Sequence, residues 1–348
     1  MHICHLILTH TFAGSERYAI ELANQQSLTH KVSLILHTRG CETRESALLQ
    51  HVSSRVKVYQ VSGPKWLASQ RARSLVKHLQ PDVAHAHLSA ACKALKRLPH
   101  TLCVASLHIH YKSTQHRHLD GLIAIAPWQL TAIPQPLLEH TRQIDNWTRA
   151  IRAGDSDRSR LREHWQVEED HFVFGALGRV EQSKGHDNLI TAFAQLNDPM
   201  ARLVIVGTGS AISSVRACVP EQIKHQVIFH GYSFEPQACL AGFDAFVSAA
   251  RSEPFGLVFL EAMVAQLPII ATASQGALYL QAHFQHPPVP VDNSTALAAA
   301  MATVKSQCLQ RGSAPVERVL SAYDINSRAA EITEFYKDLA VTRPINRA

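Results

Sequence analysis

Residues 172–193 read FVFGALGRVEQSKGHDNLITAF. An apolar run comes first, then a turn rich in glycine and charge from Gly178 to Gly185, then a longer amphipathic stretch. Strand, turn and helix in that order make a βα unit. Units of this kind repeated along a chain build a parallel sheet, because a parallel neighbour needs a crossover long enough to hold a helix. The pattern continues downstream with RLVIVG at 202–207, VIFHG at 227–231, AFVSA at 245–249, PIIATA at 268–273 and a weak VPV at 289–291.

The same alternation fills the first half of the chain. Its runs are ICHLIL at 3–8, VSLIL at 32–36, VKVYQV at 56–61, VAHAH at 83–87, LCVASL at 102–107 and GLIAIA at 121–126, separated by segments of helical periodicity such as 15–28. Two doubly wound domains follow, and 348 residues exceed the roughly 250–300 at which single cores stop growing. The stretch RQIDNWTRAIRAGDSDRSRLREHWQVEED at 142–170 has high charge and no core pattern, so it reads as a linker with a polar helix. The expected division is 1–147, linker 148–170, second domain 171–325, and a C-terminal helix 326–348. In that helix Ile332, Phe335, Tyr336 and Leu339 recur at helical spacing, which fits docking on the second domain or crossing back to the first.

Composition restricts the chemistry. Hydrophobic residues make up 46% and charged residues 18%, as in a globular protein with substantial cores. The net charge of +6 suits an acidic partner such as a nucleotide or an anionic lipid surface, and the scattered lysines and arginines without interleaved aromatics argue against nucleic acid. Seven cysteines with no C-x-x-C pair fit a reducing cytoplasm. The start MHICHLILTHTFAG lacks a basic leader and a cleavage site, and no run approaches the ~20 apolar residues that span a bilayer. Membrane association would therefore be peripheral.

In sheets of this kind ligands sit beyond the carboxyl ends of the strands, so the loops after them carry the candidate site. Arg179 and Lys184 flank the first βα turn of the second half, where two fixed cations can hold a diphosphate. Gly207 and Gly209 form a Gly-x-Gly turn after the next strand, which permits close backbone approach. The third glycine of a dinucleotide fingerprint is missing, which argues against an NAD(P)-dependent oxidoreductase. In SEPFGLVFLEAM at 252–263, Pro254 keeps Glu253 out of the helical region, and Phe255, Gly256 and Leu257 lead into a helix N-terminus that attracts anions. Glu261 lies more than a turn inside that apolar helix. A carboxylate repels phosphate and accepts from sugar hydroxyls. The stretch therefore suits a sugar on each side of a diphosphate.

Taken in order, GRVEQSKGHDNLITAF, VGTGS, HGYS, EPFGLVFLE and AQLPIIATASQGA resemble the blocks of retaining glycosyltransferases of GT-B fold, family 4, over about 172–281. TFAGSERYAIELA at 11–23 and PDVAHAHL at 81–88 resemble the family's first domain more faintly. The resemblance implies an α/β GT-B architecture, two Rossmann-like parallel-sheet domains facing a central cleft. It implies no cofactor and a UDP- or GDP-sugar as donor substrate. Arg179 and Lys184 would bind the diphosphate, Glu261 the ribose and Glu253 the transferred sugar, with the backbone of Phe255, Gly256 and Leu257 beside them. Gly14 would sit in a loop facing the diphosphate, and His108 near the reacting centre. The implied reaction is metal-independent transfer with retention to a glycan or glycolipid acceptor, as in lipopolysaccharide or envelope polysaccharide synthesis, at the cytoplasmic face of the inner membrane. A non-catalytic nucleotide-sugar-binding subunit is the other reading.

Twenty-two histidines raise the question of a metal, since His85/His87, His108/His110 and His116/His118 are each two apart. No H-E-x-x-H and no cysteine cluster accompanies them, so they read as polar ends of strands and no metal is expected. The DSD at 155–157 reads as a helix N-cap rather than a metal-holding D-x-D.

Overall fold

The computed structural model describes residues 1–43, 47–96, 98–148, 155–311 and 320–342. The chain divides into two compact units, Met1–Trp147 with Ala322–Ala348, and Thr148–Ser321.

The first unit is built on seven parallel strands: β1 His2–Ile7, β2 Lys31–His37, β3 Lys57–Val61, β4 Val83–His87, β5 Leu102–Leu107, β6 Gly121–Ala124 and β7 Thr141–Gln143, in the order β3-β2-β1-β4-β5-β6-β7. Six of these coincide with the apolar runs. β7 has only three residues and an unremarkable TRQ sequence, and it falls where the charge pattern reads as linker. The helix Lys65–Leu79 packs Ala68, Ala72 and Val76 on one face, against Leu6, Ala84 and Ala86. The helix Gly14–Gln26 covers the other with Ala19, Ile20 and Ala23, against Ile7, Leu34 and Leu36. Neighbouring residues such as Leu6 and Ile7 thus serve opposite cores, as the period of two in a strand requires. Each such fully buried side chain contributes roughly 1.5–3 kcal/mol.

The last helix, Ile325–Thr342, buries Ala329, Ile332, Phe335, Tyr336 and Leu339. It belongs to the first unit, whose boundary falls at Ala322 rather than at 326. Its packing leaves no room at Gly121 of β6, where an added Cβ would lie 2.4 Å from Leu339.

The second unit holds five parallel strands, β8 Phe172–Leu177, β9 Ala201–Val206, β10 Val227–Gly231, β11 Ala245–Ser248 and β12 Ile269–Ala271, in the order β10-β9-β8-β11-β12. The weak VPV run makes only one isolated bridge, Val289 to Thr272, because Pro290 removes a donor. The charged helix Asp155–Trp165 is part of this unit and not a free linker. Arg158 and Arg162 each donate to Asp244 at 2.6 Å, which also accepts from the Val173 backbone N–H at 2.7 Å. Trp165 stacks on Phe243. The residues that look polar in sequence are therefore the docking face. The helix begins at Asp155, so the cap position before the DSD lies outside the described residues.

Candidate functional site

Each sheet reverses its strand order once, between β1 and β4 and between β8 and β11. Such a switch point is where the loops on either side diverge and leave a crevice at the carboxyl ends. In the second unit the two loops that leave it carry Lys184 and Glu253. The Lys184 ammonium donates to Glu253 Oε2 at 2.5 Å, with the two side chains 22% and 13% exposed. The pair borders a pocket shared with Ala176, Leu177, His186, Ser248 and Val258.

Lys184 is the last residue of a 3-10 turn, Gln182–Lys184, and Gly185 follows with φ of +64°. A side chain at Gly185 would place its Cβ 2.1 Å from the Ala249 carbonyl oxygen, so glycine is what lets this loop lie against the end of β11. Arg251 fixes the contact. It donates twice to Asp187, at 2.9 and 2.7 Å, once to Asp292 at 2.7 Å, and once to the Gln182 carbonyl at 2.7 Å. Its own backbone N–H donates to the Ser183 carbonyl. The guanidinium holds the Asp187 carboxyl below the usual range. Arg251 escaped the reading from sequence because its partners lie in other segments, and only its place two residues before Glu253 gave a signal.

Beyond Glu253 the chain turns through Pro254, Phe255 and Gly256 into the helix Leu257–Val264. Phe255 is buried in the core, so only its backbone is available to a ligand. Gly256 has φ of +92°, and the Gly276 N–H donates to the Glu253 carbonyl at 2.7 Å. Gly276 begins the packing of the next helix, Gln275–Leu280, onto this loop; a Cβ there would sit 2.1 Å from the Phe255 carbonyl oxygen. Glu261 is 5% exposed and accepts from Gln237 Nε2 at 3.2 Å. It is therefore held inside the unit and is no solvated surface acid. Two buried polar atoms at these strand ends have no protein partner, His186 Nδ1 and Ser274 Oγ. Burial pushes the His186 pKa down to about 4, so the ring is neutral.

The remaining second-unit candidates follow β8 and β9. Arg179 is 60% exposed and pairs with Glu181 at 2.6 Å. Gly207 and Gly209 let the loop lie against the turn that follows β8. Cβ atoms there would lie 1.9 Å from the Gly178 carbonyl oxygen and 2.3 Å from that of Val180. The two loops are joined by hydrogen bonds from the Val180 N–H to the Thr208 carbonyl and from the Ala211 N–H to the Val180 carbonyl.

In the first unit Gly14 is the exposed first residue of its helix. Glu16, in the first turn, is buried and accepts from the Thr9 hydroxyl at 2.5 Å. His108 follows β5 directly and is 9% exposed. His85 and His87 are buried rather than solvent-facing. His85 and His87 lie on one face of β4, both 0% exposed, with Ala84 and Ala86 on the other. His5 of β1 registers beside His85. Ring nitrogens of His5, His85 and His87 all lie within 4.8 Å of one another, close enough to hold a metal ion. They are also bonded to protein groups. His85 meets the Tyr336 hydroxyl at 2.7 Å and Ser106 Oγ at 2.9 Å, and His5 meets Gln26 and His87.

Two Rossmann-like units, each a parallel sheet with one switch point, make up a GT-B architecture. The glycosyl transferases group 1 model matches residues 157–310 and the glycosyltransferase family 4 model residues 12–173, and the chain belongs to this family. It is 25% identical over 294 residues to the lipopolysaccharide core biosynthesis glycosyltransferase LpsD of Rhizobium meliloti, covering 78% of this chain and 79% of that one. It is 28% identical to the mannosylfructose-phosphate synthase of Agrobacterium fabrum over 51% of this chain, spanning 43% of that enzyme's length. Among solved structures, Anabaena HepE in complex with UDP-glucose superposes with a TM-score of 0.76 at 21% identity, over 98% of this chain and 99% of that one. WaaG, a glycosyltransferase involved in lipopolysaccharide biosynthesis, gives 0.68 at 16% over the whole of both. No helix among the described residues is long and apolar enough to cross a membrane.

Proposed function

We propose that this protein transfers a sugar, with retention, from a nucleotide-sugar donor to a glycan or glycolipid acceptor in bacterial lipopolysaccharide or envelope polysaccharide synthesis. The observation that carries the proposal is the Lys184–Glu253 pair at the second unit's switch point, since it presents a cation and a carboxylate side by side. Lys184 would take the diphosphate and Glu253 the hydroxyls of the transferred sugar. Glu261, buried on the adjoining helix, would take the ribose. The envelope setting is supported by the likeness to LpsD, and a UDP-sugar by the fold shared with HepE.

In the reaction the bond between the sugar's anomeric carbon and the diphosphate oxygen breaks, with its electrons going to the phosphate. The acceptor hydroxyl bonds to the same face of the sugar, and its proton passes to the departing phosphate oxygen. Lys184 and the N-terminus of the helix Leu257–Val264 would stabilise the charge growing on that phosphate, commonly the largest catalytic contribution. Arg179 would join them once its exposed side chain leaves Glu181. No metal is assigned to the step, and the enzyme would work at the cytoplasmic face of the membrane.

The test is a thermal-shift screen of UDP-glucose, UDP-galactose, UDP-N-acetylglucosamine and GDP-mannose, followed by turnover of the stabilising donor and determination of the product's anomeric configuration. Stabilisation without turnover, with every acceptor tried, would favour a non-catalytic nucleotide-sugar-binding subunit. An inverted product would overturn the retaining mechanism.

A further inference from the structure

Four buried side chains in the first unit form a hydrogen-bonded row that ends at His108. Gln26 Oε1 lies 2.8 Å from His5 Nε2, His5 Nδ1 lies 3.1 Å from His87 Nε2, and His87 Nδ1 lies 3.1 Å from His108 Nε2. The first three are at most 2% exposed, and His108 is 9% exposed. The row runs from the end of the helix Gly14–Gln26, through the middle of β1 and the end of β4, to the residue just past β5.

The direction of the row is fixed at its inner end. Thr333 gives its hydroxyl proton to the Ala329 carbonyl at 2.8 Å, so towards Gln26 it acts as an acceptor. It accepts from Gln26 Nε2 at 3.1 Å. The amide nitrogen of Gln26 therefore faces Thr333, its carbonyl oxygen faces His5, and His5 must donate from Nε2. A neutral imidazole carries one N–H and one lone pair. His5 Nδ1 is then an acceptor, so His87 donates from Nε2. The same step repeated at His87 makes His108 donate from Nε2. Any other tautomer along the row sets two lone pairs or two protons against each other in the interior, where an unmet polar group costs far more than at the surface. Burial keeps the rings neutral: His5 is pushed down to about 4, His108 to about 3 and His87 well below its ordinary value.

We propose that Gln26, His5 and His87 are positioning residues that hold His108 as the Nε2–H tautomer, leaving its Nδ1 lone pair to accept a hydrogen bond from a substrate hydroxyl. Such a ring discriminates by chemistry. It welcomes a sugar or acceptor hydroxyl, which has a proton to give, and it offers nothing to a phosphate oxygen, which has none. It is also too weak a base to keep that proton. The substrate part of the inference rests on the glycosyltransferase reading above; the tautomer part does not.

The two parts are tested separately. Long-range proton–nitrogen correlation spectra of the full-length protein labelled with nitrogen-15 in histidine report which ring nitrogen bears the proton, with assignment by His108→Gln. His5, His87 and His108 are expected as neutral Nε2–H rings from pH 8 to pH 5. His108 with its proton on Nδ1, or charged at pH 7, would overturn the proposal. So would zinc bound in one-to-one ratio with perturbed signals from His5, His85 and His87. Gln26→Met removes the fixed acceptor and keeps the volume. It should leave His108 a mixture of tautomers and raise KM for UDP-glucose or GDP-mannose, whichever is turned over, about 2- to 10-fold with a smaller change in kcat, the worth of one neutral hydrogen bond. An unchanged tautomer in this variant overturns the relay. A shifted tautomer with unchanged KM overturns the hydroxyl assignment alone. Since the tautomer is read in the wild-type protein, poor folding of Gln26→Met would not rescue the idea.

Discussion

Glu253→Gln should make the protein bind nucleoside diphosphates more tightly while it transfers sugar more slowly. Before any ligand arrives, Lys184 is committed to Glu253 at 2.5 Å. A diphosphate must draw the ammonium away from a full negative charge. Two unit charges 4 Å apart attract by about 1 kcal/mol in water and about 4 kcal/mol at an effective dielectric of 20. With 22% and 13% of the two side chains exposed, the pair falls between those limits. Fully exposed pairs are worth only ~0.2–1 kcal/mol, so about 1–2 kcal/mol is a reasonable competition term here. Glutamine keeps the shape and a weaker acceptor but gives up the charge. UDP and GDP, whichever binds the wild type, should therefore bind Glu253→Gln about 5- to 30-fold more tightly, since 1.4 kcal/mol is a factor of ten. Turnover should fall, because the transferred sugar loses its carboxylate. Isothermal titration calorimetry on wild type, Glu253→Gln, Lys184→Met and the double variant measures the coupling directly. If the diphosphate binds Glu253→Gln no more tightly than wild type, or binds Lys184→Met equally well, Lys184 is not the phosphate ligand.

Arg251→Lys keeps a charge and loses the fork that reaches Asp187, Asp292 and the Gln182 carbonyl. It should lower stability by about 1–3 kcal/mol and weaken donor affinity, read by urea unfolding and calorimetry. Because Arg251 depresses the Asp187 pKa, its stabilisation is present above the ordinary aspartate value of 3.8 and lost as pH falls through the folded value. Arg251→Ala should accordingly narrow the stability difference between pH 6 and pH 3 in unfolding curves. Gly276→Ala would press a Cβ to 2.1 Å from the Phe255 carbonyl oxygen, so about 1–3 kcal/mol of stability and part of the donor affinity should go together. Excess EDTA should leave turnover intact; complete loss restored by magnesium or manganese would call for a metal site.

The architecture was legible because both sheets are wound from near-continuous apolar strands, which stand out against the helices that cover them. β7 was not, since three intermediate residues at a sheet edge carry no periodic signal. The helix Asp155–Trp165 looked like linker because its docking uses guanidinium groups on a partly buried aspartate, and hydropathy counts those as solvent-seeking. In the site, Lys184 and Glu253 could each be picked out, but not their contact, which needs the order of β8 and β11. Gly207 and Gly209 were conspicuous as a site of close approach. A glycine pair marks a close approach and cannot say what approaches, and here it is the backbone from Gly178 to Val180. His5 was hidden inside ICHLIL, where its neighbours made it read as one more core position. Its importance depends on the register that sets it beside His85.

The bond from Gln26 to Thr333 spans 307 residues of sequence. A ribosome releases the chain from its amino end, so strands β1 to β7 emerge long before the helix that roofs their histidines. Until that helix arrives, His85 lacks the Tyr336 hydroxyl, and Gln26 is free to turn either way. The second unit, Thr148–Ser321, meets no such delay and can fold as soon as its own sequence has emerged. The order of maturation is thus the reverse of the order of synthesis: the first-made unit is the last to be finished. Expression of 1–147 alone should give a species with buried imidazoles uncapped and a strip of sheet uncovered, prone to self-association. For anyone dissecting this protein, the useful cut is not the one between the halves of the sequence. It is a pair of cuts that keeps the final helix with the opening strands.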